Sequence, residues 1–202
     1  MTVISSLDSL VQVVADVPGD RVLVAIAGAP GAGKSTVAGE LAAALPSAAL
    51  LPMDGFHLPQ ARLVELGRRD RMGAPDTFDV GGFLDVLRRV RAGEAVDAPG
   101  FDRVAEESEP GALPIPSDAR VVVVEGNYLL LDSDGWEQAA PLFDATFFVE
   151  VDHDIRIARL IERHVRFGKT PDAATAWALG PDETNARLIE ATAQRADHVI
   201  RR

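Results

Sequence analysis

The chain has 202 residues, 47% of them hydrophobic, with 31 acidic against 20 basic side chains, a net charge of −11 and no cysteine. That length can bury one α/β core without covalent staples, and the missing cysteine excludes disulfides and thiolate metal sites. The acidic balance disfavours nucleic acid, whose binding rests on Lys and Arg neutralising phosphates, and no apolar run is long enough to span a bilayer.

Along the chain, residues 4–15 carry apolar side chains near helical spacing and predict an amphipathic helix. Residues 21–27 (RVLVAIA) form a short β-branched run ending at glycine, the pattern of a buried parallel strand. Residues 34–45 are alanine-rich and helical, stopped by Pro46, and residues 48–53 form a second apolar run closed by Asp54-Gly55. Residues 80–91 predict a helix ending at Gly93. Residues 94–116 are rich in proline, glycine and acid, and read as loops with a short strand pair. Residues 120–124 (RVVVV) and 145–151 predict strands, residues 154–167 and 181–196 predict helices, and residues 198–200 a last strand. Strands alternating with helices imply an α/β fold: a mainly parallel sheet with helices on both faces. No linker, repeat or low-complexity tract interrupts the pattern, so residues 1–202 read as a single domain.

The sharpest motif is Gly28-Ala29-Pro30-Gly31-Ala32-Gly33-Lys34-Ser35, which matches G-x-x-x-x-G-K-[ST] without a mismatch, between a predicted strand and a predicted helix. Its glycines let the backbone turn N–H groups toward phosphate oxygens, and the helix N-terminus adds partial positive charge. Lys34 is expected to reach the β- and γ-phosphates, the Ser35 hydroxyl to ligate Mg²⁺, and Thr36 to support the same site. The expected ligands are ATP and Mg²⁺. Only two lysines occur, Lys34 and Lys169, and both fall in segments that read as functional.

Two carboxylates follow strands. Glu125, at the end of the RVVVV run, can hold Mg²⁺ directly or through water. It also reads as a loop-solvated glutamate. Asp54 is placed where a carboxylate could orient an acceptor hydroxyl and take its proton, although an Asp-Gly pair by itself reads as a turn.

GAPGAGKST, LPMDGFH, GAPDTFD, PGFDR and VVVVEGNYLL together resemble the uridine kinase, phosphoribulokinase and bacterial pantothenate kinase family. The resemblance runs from about residue 22 to 200 and is greatest to short bacterial members described as nucleoside- or sugar-kinase-like, fructose transport kinases among them. It implies a P-loop three-layer sandwich with a small helical lid at about residues 156–180. It also implies acceptor-site segments at about residues 54–60, 73–79 and 99–103. By that resemblance Asp54 is the base, Asp102 and Arg103 contact acceptor hydroxyls, and His57, Phe56 and Tyr128 line the same pocket. His57 reads equally as a core-edge histidine. The segment holding Arg156, Arg159, Arg163, His164, Arg166 and Lys169 is similar to the family's basic lid, and Arg163 is taken as the cation on the transferring phosphoryl group. Sequence does not separate it from Arg166. Asn185 reads either as a neighbour of the nucleotide base or as a helix-surface residue.

The expected activity is therefore Mg-assisted in-line transfer of a phosphoryl group to a hydroxyl of a sugar, nucleoside or pantothenate-like acceptor. A homodimer is compatible with the resemblance, and a cytoplasmic location without nucleic-acid or membrane partners fits the composition. The alternative is a P-loop ATPase acting as a switch or assembly factor. The absence of an Asn-Lys-x-Asp motif weakens its GTPase form.

Overall fold

The computed structural model describes residues 2–202. Six strands form one sheet, all parallel: β1 (Thr2–Ile4), β2 (Val22–Gly28), β3 (Ala48–Pro52), β6 (Val121–Gly126), β7 (Ala145–Glu150) and β8 (His198–Arg201). Their spatial order is β1-β8-β7-β2-β6-β3. Between β3 and β6, strands β4 (Val96–Asp102) and β5 (Glu107–Ile115) make a separate antiparallel hairpin.

The central strands are buried along their whole length, so their residues alternate between two cores. Val22, Val24, Ile26, Val121 and Val123 face helices α1 (Leu7–Ala15) and α2 (Lys34–Ala44), meeting Leu10, Val14, Val37 and Leu41. Leu23, Ala25, Val122 and Val124 face the opposite way onto α4 (Val80–Arg91), through Phe83, Leu84 and Leu87. This two-sided burial is the physical content of the β-branched runs.

Three departures from the sequence reading have local causes. The predicted helix over residues 4–15 is split. Thr2–Ile4 pairs with β8, and the helix begins only after Ser6, whose hydroxyl caps the Ser9 amide. Residues 94–116 are not mainly loop. They form strands of seven and nine residues, tolerating their prolines because a two-stranded sheet is all edge and the register shifts across Pro99. The helix predicted over residues 181–196 stops earlier, as α7 (Pro181–Glu190), followed by a 3-10 turn at Ala193–Arg195.

The segment expected to form a lid contains α5 (His153–Arg166) and α6 (Pro171–Leu179), which pack on each other, and α6 packs on α7. A short α3 (Gln60–Glu65) follows β3. No helix among the described residues is long and apolar enough to cross a membrane.

Candidate active site

The C-terminal ends of β2, β3 and β6 lie side by side in register, with Ala27 opposite Gly126 and Pro52 opposite Glu125. The phosphate-loop motif leaves β2, Asp54 leaves β3 and Glu125 ends β6, so parallel pairing alone gathers them at one edge, where α/β folds bind ligands.

In the loop, Lys34 is almost fully buried and its ammonium donates to the Ala29 carbonyl at 3.0 Å. Burial pulls its pKa down to about 8, against the raising effect of Glu125 and Asp54. The Ser35 hydroxyl donates to Glu125 Oε1 at 2.9 Å. Burial, with Asp54 beside it, raises the Glu125 carboxyl above the ordinary glutamate value. This hydroxyl–carboxylate pair is a hard-oxygen donor set of the kind Mg²⁺ takes. No group of three or more His, Cys, Asp or Glu side chains that could form an all-protein cage occurs among the described residues. That combination fits Mg²⁺, which usually keeps water and substrate phosphates in its shell.

Gly31 shows why the loop needs glycine. Its φ is +81°, and an added Cβ would stand 2.8 Å from both the Arg156 carbonyl oxygen and Leu160 Cγ of α5. The loop and the lid helix therefore touch backbone to backbone. Gly31→Ala is expected to cost about 1–3 kcal/mol. It should lower the midpoint of thermal unfolding by about 3–10 °C, read by calorimetry. An unchanged midpoint would contradict this packing.

Asp54 sits in the turn after β3, and its carboxylate accepts from Arg103 Nη2 at 2.7 Å. Burial raises the carboxyl's pKa, but Arg103, His57, Lys34 and Arg163 together outweigh that and hold it below the ordinary aspartate value. Arg103 arrives with the β4–β5 hairpin, which lies directly on the Asp-Gly turn. A Cβ on Gly55 would fall 2.0 Å from the Pro99 carbonyl oxygen, so only glycine permits that approach. Ser108 on the hairpin donates to the Gly55 carbonyl at 2.5 Å. His57 packs between the Phe78 and Phe101 rings, at 4.0 and 4.6 Å between centroids, and its Nδ1 donates to the Asp54 carbonyl at 2.8 Å. Burial lowers the His57 pKa, which keeps the ring neutral and fixes the turn that carries Asp54.

The lid separates two arginines that sequence did not. Arg166 is exposed and pairs with Glu162 one turn away. Arg163 lines the cleft and forms no ion pair among the described residues. Burial and nearby Arg103 lower its pKa, while Asp182, Asp54 and Glu125 oppose that shift. Arg159 is exposed above the phosphate loop, with Nη1 3.7 Å from where a Cβ on Gly33 would be. Arg156 is buried and tied to Glu183 of α7, which makes it a structural anchor of the lid.

The resemblance placed Asp102 and Tyr128 in the acceptor pocket, and neither lines the cleft. Asp102 turns its carboxylate onto the Val104 and Ala105 amides at 2.7 and 3.1 Å, closing the hairpin turn. Tyr128 is fully buried, and its hydroxyl supports the Gly73 carbonyl from behind at 2.5 Å. Phe56 likewise belongs to the core. The cleft instead includes Asn127, Glu106, Trp177, Asp182 and Asn185. Asn127 could have been found as the residue after the Glu-Gly pair. The others come from the hairpin tip and from α6 and α7, and carry no local signal.

Comparison with known proteins agrees with this geometry. The model of the Phosphoribulokinase / Uridine kinase family matches residues 23–202. The chain is 33% identical over 189 residues to the uncharacterized protein YggC of Escherichia coli (strain K12), covering 91% of this chain and 78% of that protein. It is 30% identical over 188 residues to the uridine kinase of Brevibacillus brevis, covering 90% and 85%. Among solved structures, a "putative fructose transport system kinase" from Silicibacter sp. TM1040 superposes with a TM-score of 0.90 at 40% identity, covering 97% of this chain and 99% of that one. The chain belongs to the phosphoribulokinase / uridine kinase family of ATP-dependent small-molecule kinases.

Proposed function

We propose that residues 1–202 act as one kinase domain that transfers the terminal phosphoryl group of ATP to a hydroxyl of a small molecule, with Asp54 as the base. The observation that carries this reading is the arrangement of opposite charges across one cleft. Asp54, held by Arg103, lines the same cleft as Lys34 and as Arg163, which has no ion pair among the described residues. Phosphoryl transfer asks a protein mainly for positioning and for charge neutralisation on the transferring group. A weak base suffices, because the hydroxyl proton becomes acidic only as the new P–O bond forms. Asp54, ionised at neutral pH, accepts the hydroxyl's hydrogen bond first and its proton late.

On the nucleotide side, Lys34 exchanges its bond to the Ala29 carbonyl for phosphate oxygens, and Arg163 and Arg159 approach from the lid. Ser35 and Glu125 would hold Mg²⁺, which when bound would supply charge neutralisation to the phosphates. The nucleoside occupies a second cavity of about 610 Å³ beside the phosphate loop, at the C-terminal ends of β7 and β8, lined by Ala32, Asp152, His153, Arg156 and Arg201. Asn185, one candidate for the base, lies in the acceptor cleft instead.

ATP labelled in its terminal phosphoryl group, incubated with purified protein and a pool of hydroxyl compounds, tests the reading. Label on an organic phosphate supports it. Label released only as inorganic phosphate, at the same rate with and without the pool, would favour a nucleotide-driven switch.

A further inference from the structure

The acceptor half of the cleft is built from residues that the family motifs do not mark, and their pairing bears on what it accepts. Three carboxylates face this half, and each already has a side-chain partner. Asp54 holds Arg103, Glu106 at the hairpin tip holds Lys169 at 3.6 Å and Arg69, and Asp182 accepts from His164 Nε2 at 2.7 Å. Lys169 also lies 4.9 Å above the Trp177 ring. Arg163, the one cleft arginine without an ion pair among the described residues, serves the transferring phosphoryl group in the kinase reading above. No cation is left over to recognise a carboxylate or phosphate on the acceptor.

The cleft is also small. Its cavity is about 140 Å³, room for on the order of ten waters, and the transferred phosphoryl group takes part of that. Four aromatic rings in or next to the cleft are engaged with other side chains or with the core. Phe78 and Phe101 hold His57 between them, and Tyr128 and Phe56 are buried.

One polar side chain lines this space without a protein partner. Asn185 is 5% exposed, lines the cleft, and its side-chain amide makes no hydrogen bond to any described residue. It lies one turn along α7 from Asp182, so both face the same way. Its Nδ2 is 3.8 Å from where a Cβ on Gly73 would be, in the segment whose carbonyl Tyr128 steadies. An amide that lines a cleft with no protein partner can exchange water for the hydroxyls of a ligand.

We propose that Asn185 and Asp182 are the acceptor-specificity residues, with His164 positioning Asp182, and that the acceptor they read is compact, uncharged and polyhydroxylated. The amide offers both a donor and an acceptor, and the second oxygen of Asp182 offers an acceptor. Vicinal hydroxyls satisfy that combination, whereas a carboxylate meets Asp182 with like charge. This inference rests on the kinase reading above.

The test is steady-state kinetics of wild type, Asn185→Ala and Asn185→Ser with D-fructose, D-ribose, uridine and pantothenate as probes at saturating Mg·ATP. The expected result is that a neutral sugar is the preferred probe. Its KM should rise about tenfold or more in the alanine variant and less in the serine variant, with the KM for Mg·ATP unchanged. The serine variant, small but polar, covers the case in which alanine disturbs folding. Preference for uridine or pantothenate would overturn the acceptor class. An acceptor KM equal to wild type in both folded variants would overturn the role of Asn185. Wild type that binds Mg·ATP yet phosphorylates none of the probes, releasing only inorganic phosphate, would overturn the kinase reading beneath it.

Discussion

Asparagine in place of Asp54 lowers acceptor-dependent turnover by about 10²–10⁴-fold, the usual contribution of a positioned general base, while Mg·ATP still binds. The two halves of this prediction come from different parts of the site. In the proposed role of Asp54, the substitution removes the group that orients the hydroxyl and takes its proton, so the chemical step suffers. It also removes one negative charge from a cleft that must receive a triphosphate, and it releases Arg103 from its ion pair. Nucleotide affinity is therefore expected to be equal to or tighter than wild type, by titration with Mg·ATP. A variant that lost nucleotide binding in step with turnover would place Asp54 on the phosphate side instead.

The second large effect is at Lys34. Methionine there keeps the length of the aliphatic stem and deletes the only cation inside the phosphate loop. A loss of about 10²–10³-fold or more in turnover is expected, the scale of removing one preorganised stabiliser of developing charge. Folding should not suffer, and the sign can be worked out. Burial lowers the Lys34 pKa from its ordinary value of 10.5 to about 8. Between those values the unfolded chain binds more protons than the folded one, so the stability of the ligand-free protein rises with pH through that window. The lysine is at its least favourable below pH 8. Lys34→Met is thus expected to unfold at or above the wild-type temperature at pH 7, and to lose that advantage as pH approaches 10.5, measured by thermal unfolding across the range. A variant much less stable than wild type at pH 7 would contradict the account of a strained, buried ammonium.

That these two residues meet in one cleft was legible in the sequence, for a reason that does not extend to the rest of its lining. Lys34 and Ser35 open the helix that follows β2 and Glu125 lies at the end of β6, and a parallel sheet brings those strand ends together whatever the other loops do. Gly31 is dictated by its own backbone angle. Asp54 gained its meaning from the Gly-Phe-His that follows it, because the hairpin's approach over Gly55 and the wedging of His57 between two phenylalanines are local packing demands.

Asp102 and Tyr128 illustrate the limit. Both lie in segments that border the site, but their side chains are spent on the scaffold, one closing a turn and the other buttressing a carbonyl. Adjacency in sequence to a functional residue does not say which way a side chain points. Asp182 and Asn185 show the reverse. They enter the cleft through the packing of α7 against α5 and α6, and His164 meets Asp182 across 18 positions. Contacts of that kind belong to tertiary structure. The edge strand β1 was missed for a similar reason, since three residues acquire strand character only by pairing with β8 at the far end of the chain.

The central claim is that ATP consumption in this protein is coupled to a hydroxyl acceptor through Asp54. It is tested most directly by measuring ADP release from Mg·ATP by wild type and by Asp54→Asn, each alone and with D-fructose, D-ribose, uridine and pantothenate in turn. The account predicts a low acceptor-free rate in both proteins and stimulation of wild type by one acceptor class, abolished in the variant. A substantial rate indifferent to every acceptor and equal in the two proteins would contradict it.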